Sequence, residues 1–70
     1  MITSVKEVHV GRRPHGDGFL FWTYMICRVR SGRGARYNLI RIDNCSEHME
    51  RLGCELTLAH CRRLIAEYEG

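Results

Sequence analysis

Seventy residues, 44% hydrophobic and 27% charged, suffice for one small globular domain and are too rich in apolar side chains for a disordered tail. No stretch approaches the roughly 20 apolar residues of a membrane helix; the longest, Phe19 to Cys27, is too short and contains Thr23. The net charge of +3 is unevenly laid. Up to Ile42, Lys6, Arg12, Arg13, Arg28, Arg30, Arg33, Arg36 and Arg41 stand against only Glu7 and Asp17, whereas from Asp43 onward three arginines face six carboxylates. Such polarity points to a surface for something anionic.

In chain order, Ile2 to Val10 reads as a first strand, with Val8 and Val10 on one side and Val5 and His9 on the other. Gly11 to Gly18, with three glycines, a proline and an aspartate, reads as a loop. Phe19 to Arg30 is the clearest strand, aromatic and β-branched with neither Gly nor Pro. Ser31-Gly32-Arg33-Gly34 is a hairpin turn, because glycine accepts the positive φ that tight turns require. Ala35 to Asp43 is the returning strand.

Beyond Asp43, Cys45, Met49 and Leu52 recur at helical spacing. Gly53 suits the stop position, so a short helix capped by Asn44 or Ser46 is expected. A second helix begins at Thr57 and carries the apolar stripe Leu58, Cys61, Leu64, Ile65 and Tyr68. The expected fold is a single small α+β domain over residues 1–70: a three-stranded antiparallel sheet with one or two helices packed on one face.

The pleat then sorts the side chains. A two-residue tip at Gly32-Arg33 sets Val29 opposite Arg36, Cys27 opposite Asn38, Met25 opposite Ile40 and Thr23 opposite Ile42. On the other face Arg28 meets Tyr37, Ile26 meets Leu39, Tyr24 meets Arg41 and Trp22 meets Asp43. A three-residue tip would shift this pairing by one. In either register the central strand is apolar on both faces, and the helices are too short to cover more than one. The uncovered face calls for the Gly11 to Gly18 loop or the chain ends to fold over it, or for a second copy or another protein.

Five candidate metal ligands, Cys45, His48, Cys54, His60 and Cys61, fall within seventeen residues. Their spacing opposes a zinc site: adjacent His60 and Cys61 point about 100° apart on a helix, and no Cys-x-x-Cys knuckle is present. Neither metal nor cofactor is expected. The opening residues lack the order of an export signal, so the four cysteines are expected to stay reduced in a cytoplasmic setting. Gly32-Arg33-Gly34 lacks the strand-to-helix context of a phosphate loop. A chain of this size also has little room for pocket, oxyanion donors and a nucleophile with its base, so no enzyme is expected.

What remains is a binding surface, with Trp22, Tyr24, Tyr37, Arg28, Arg30, Arg33, Arg36 and Arg41 as its candidate residues. Large aromatics, joined here by Ile26, supply anchoring energy, and arginines steer and orient. In size, absence of motifs and polarised charge the chain resembles the small inhibitor proteins of phages and mobile elements, of the anti-CRISPR type. That resemblance implies a non-catalytic inhibitor of a host defence complex, docking on a protein with an acidic or nucleic-acid-handling surface. Direct RNA or DNA binding through the same basic hairpin is the alternative, since arginine forks grip phosphate and aromatic rings stack on bases. A dimeric structural module would use the aromatic face for self-association.

Overall fold

A computed structural model of the protein describes residues 2–70, with side chains from residue 4 onward. Four strands, β1 (Ile2–His15), β2 (Gly18–Val29), β3 (Arg36–Asp43) and β4 (Met49–Leu56), form an antiparallel meander in sequence order, and the helix α1 (Leu58–Glu69) closes one face. The molecule is long and thin, 47 × 22 × 15 Å. Its radius of gyration of 13.0 Å exceeds the roughly 11 Å of a compact chain of this length.

The β2–β3 register is the one that the two-residue tip dictates, from Val29 opposite Arg36 to Trp22 opposite Asp43, although the ladder itself stops at Val29 and Arg36. Gly34 supplies the turn's positive φ of 89°. Thr57 caps α1, its hydroxyl accepting the backbone N–H of His60 at 3.2 Å. Cys61 and Ile65 of the apolar stripe are buried, and Leu58 and Leu64 pack beside them.

Two expected elements fail. Residues 11–15 are not loop: β1 continues to His15, and only Gly16-Asp17 turn, with Gly16 at φ +58°. Gly11 stands where backbone and neighbour approach closely, a use of glycine inside strands that composition alone reads as a break. The second failure is the short helix. Met49 to Leu56 is a fourth strand, which makes the sheet four-stranded and leaves α1 as the helix of the domain. The three-residue step from Met49 to Leu52, which looks helical, is produced by a bulge: Leu39 pairs with Gly53 and Ile40 with Arg51, so Leu52 is the extra residue and packs into the core. Asp43 drives the preceding reversal. Its carboxylate accepts the backbone N–H groups of Cys45 (2.9 Å) and Ser46 (3.3 Å), and its own N–H reaches the His48 carbonyl at 2.9 Å.

A bulge at Lys6 also corrects the reading of β1. Val5 pairs with Cys27 but Glu7 pairs with Ile26, so the extra residue places Val5 on the same face as Val8 and Val10 and turns Glu7 and His9 toward α1. The core lies between α1 and the even-numbered side of β2: Trp22, Tyr24, Ile26, Tyr37, Leu39, Cys61 and Ile65, with Leu20, Leu52 and Leu56 at its margin.

Candidate functional site

α1 covers the face that carries the aromatics singled out in the sequence. Trp22, Tyr24, Ile26 and Tyr37 are buried core residues and are not exposed anchors. The physical reason is that α1 packs on this side, and the polar tips of Trp22 and Tyr24 are satisfied inside the fold. Glu69, in the last turn of α1, accepts the Trp22 indole N–H and the Tyr24 hydroxyl, both at 2.7 Å. Burial, reinforced by this carboxylate, pushes the Tyr24 hydroxyl pKa up. Two guanidinium groups lie over the Trp22 ring, Arg13 at 5.3 Å and Arg41 at 5.1 Å from its centroid. Arg41 is therefore a packing residue as much as a charge, and its Nε is buried without a hydrogen-bond partner. Arg28 likewise sits over the Tyr37 ring at 5.7 Å.

The predicted arginines are not one cluster. Arg30 and Arg33 are exposed around the β2–β3 turn, and Arg36, next to it, donates to the Ala35 carbonyl at 3.1 Å. Arg41 belongs with Trp22, well along the strands from that turn. Arg13 and Arg12, near the opposite β1–β2 hairpin, join Trp22, Tyr68, Glu69 and Gly70 around a shallow notch of about 330 Å³. Among the described residues, no three of His, Cys, Asp and Glu are arranged to hold a metal ion.

The other sheet face is open. Ladder partners place Val5, Val8, Val10 and Arg12 of β1 there, with Phe19, Phe21, Thr23 and Met25 of β2, Arg36, Ile40 and Ile42 of β3, and Met49 and Arg51 of β4. Six of these are large apolar side chains left in water, with exposures from 39% for Phe21 to 67% for Val10. On this face only Cys27 and Val29, toward the β2–β3 turn, are buried among the β2 residues. Phe19 and Phe21 are 6.2 Å apart in a tilted arrangement, and the Arg12 guanidinium lies 5.2 Å over the Phe19 ring. At ordinary side-chain areas the six present on the order of 600 Å² of apolar surface, the top of the range found on monomers.

These residues, not Trp22, Tyr24 and Tyr37, make the accessible face. Phe19, Phe21 and Met25 were legible as one apolar side of β2; the choice between its sides was not. Gly11 opposite Trp22 is the local signal for that choice, because a residue without a side chain beside the largest one marks where the ring lies over its neighbour. Compared with known protein families, curated proteins and solved structures, the chain matches none of them.

Proposed function

We propose that the chain is a non-catalytic binding protein that docks onto another protein through its open sheet face. The observation that carries this reading is the set Val5, Val8, Val10, Phe19, Phe21 and Met49, six apolar side chains on one side of the sheet that are exposed among the described residues. With Met25, Ile40, Ile42 and the arginine stems, the face is of the order of the 800 Å² per partner that a standard interface buries. An inhibitor of a CRISPR–Cas-like host defence complex is the role that small size and polarised charge support, with Arg30 and Arg33 steering the encounter from the adjoining turn.

The test compares stoichiometric partner capture by the native chain, by Val8→Asp plus Phe21→Asp on the open face, and by Arg63→Glu on exposed α1. The reading expects loss with the first variant and retention with the second, at unchanged circular dichroism. Equal capture by all three would sink it.

Direct nucleic-acid binding has one observation in its favour, the paired rings of Phe19 and Phe21 with Arg12 above them. It requires an affinity for short oligonucleotides that falls steeply with salt and is lost with Arg30→Glu plus Arg33→Glu. Salt-independent retention, or no binding at low salt, excludes it.

A further inference from the structure

The pairing scheme divides the charges of this chain into three groups. On the α1 side of the sheet and on α1 itself, Arg13, Arg28, Arg41, Arg62 and Arg63 are matched in number by Glu7, Asp43, Glu50, Glu67 and Glu69. In turns and bulges, Lys6, Arg30 and Arg33 are matched by Asp17, Glu47 and Glu55. The open face holds the remainder: Arg12 beside Phe21, Arg36 beside Val29 and Arg51 beside Ile40, with no carboxylate at any ladder position. The formal net charge of +3 thus equals the number of arginines that the ladder places on the open face. Among the described residues, none of these three arginines is within ion-pair distance of a carboxylate.

Resting on the docking reading above, we infer that the occupant of this face is a protein surface whose apolar strip is edged by carboxylates, and not a second copy of the chain. A second copy, laid face to face, would bring its own Arg12, Arg36 and Arg51 around the same apolar patch, and neither copy has a carboxylate there to answer them. Like charges held around a desolvating interface oppose association. Nucleic acid would satisfy the arginines but leave Val5, Val8, Val10, Ile40, Ile42 and Met49 facing sugar and phosphate. Aliphatic side chains offer no ring for a base to stack on. A carboxylate-edged apolar segment satisfies both halves of the face. Arg12 and Arg36 pair with β2 residues eight positions apart, about 26 Å along the strand, so the complementary carboxylates belong near the two ends of a segment of that length.

The experiment uses the full chain and two fluorescein-labelled amphipathic helical peptides of about 18 residues, a length of about 27 Å. They share identical Leu and Phe positions; one carries Glu at its polar positions and the other Lys. Anisotropy is read at low and at physiological salt, beside sedimentation of the chain alone and with oligo-dT. The Glu peptide should bind at least about tenfold tighter than the Lys peptide, with the gap closing as salt rises. Arg12→Glu plus Arg51→Glu should reverse the preference, and Val8→Asp should abolish binding of both peptides. Val8 is more than half exposed, so that variant keeps the fold, which circular dichroism verifies. Equal affinity for both peptides, or preference for Lys, overturns the charge inference while leaving the docking face standing. A species of twice the monomer mass that Val8→Asp disperses overturns it in favour of a second copy, and oligo-dT binding lost with Arg12→Glu plus Arg51→Glu overturns it in favour of nucleic acid. If neither peptide, copy nor oligonucleotide engages the face, the inference and the docking reading fall together.

Discussion

Gly11 and Trp22 are ladder partners, and the indole of Trp22 lies across the space that a side chain at position 11 would fill. A β-carbon built on Gly11 would overlap both the indole nitrogen and a Glu69 carboxylate oxygen. Position 11 is thus where strand, core aromatic and helix end meet. An alanine in a strand ordinarily improves on glycine by reducing the freedom of the unfolded chain. Here Gly11→Ala is expected to cost about 1–3 kcal/mol through overpacking, read by urea denaturation with Trp22 fluorescence as the probe. A neutral or stabilising result would show that the indole does not lie over Gly11.

The same junction makes Glu69 a structural residue near the end of α1. Its carboxylate accepts from two buried aromatics, and removing it leaves the Trp22 N–H and the Tyr24 hydroxyl without that acceptor. Glu69→Ala should lower stability by about 2–3 kcal/mol, and Glu69→Gln by less, since an amide oxygen can still accept one of the two bonds. Denaturation midpoints of the two variants settle the order; equal and negligible losses would mean that the last turn of α1 is frayed from the sheet.

Much of this was readable from residues, and the failures have local causes. The β2–β3 hairpin followed from glycine placement in the turn, with its register open between a two- and a three-residue tip, and α1 followed from Thr57 and a stripe of regular spacing; these signals are local and periodic. β4 was hidden because a bulged strand and a helix share a three-residue step between apolar positions, and Met49 and Leu52 show only that step. The candidate site was half legible. Both apolar faces of β2 could be named, but which one α1 covers depends on contacts 45 and 47 residues apart, Tyr24 and Trp22 with Glu69.

Acid sensitivity should come from the β1–α1 link. Glu7 bonds to the guanidinium of Arg62 and accepts from His9 at 2.9 Å. First the Arg62 hydrogen bond, then that of His9, hold its pKa down at about 2 against an ordinary 4.5. Because the folded value lies below the unfolded one, this stabilisation is present above about pH 4.5 and is lost as pH falls toward 2. Asp43, held down chiefly by the Cys45 N–H, acts in the same direction. The Glu7→Gln variant should lose less stability than the native chain between pH 5 and pH 2, a difference visible in denaturant midpoints; parallel curves would remove Glu7 as the cause.

The turn after β3 carries a non-glycine residue in left-handed backbone, Glu47 at φ +61°, whose N–H closes on the Asp43 carbonyl at 2.7 Å. Its side chain is exposed, so the conformation is imposed by the turn and not rewarded by packing. Glu47→Gly should therefore stabilise by about 0.5–1 kcal/mol, the left-handed cost removed less the extra freedom of an unfolded glycine. A loss of stability on thermal denaturation would mean that Glu47 does not hold this conformation.

Thiol reactivity offers the sharpest check on which sheet face is covered. Cys45 and Cys54 are exposed, whereas Cys27 in β2 and Cys61 in α1 are buried, and burial pushes both of their thiol pKa values up. Reactive thiolate is therefore scarce at the two buried positions for two reasons, access and ionisation. Ellman's reagent under native conditions should modify two thiols rapidly and the other two at the rate of global or local opening, with all four reacting in guanidinium. Peptide mapping should place the fast pair at Cys45 and Cys54. Fast reaction at Cys61 would detach α1 from the even-numbered side of β2, where the accessible aromatics would then be Trp22 and Tyr24. Fast reaction at Cys27 alone would leave α1 in place and show that the open face is unprotected along the whole of β2.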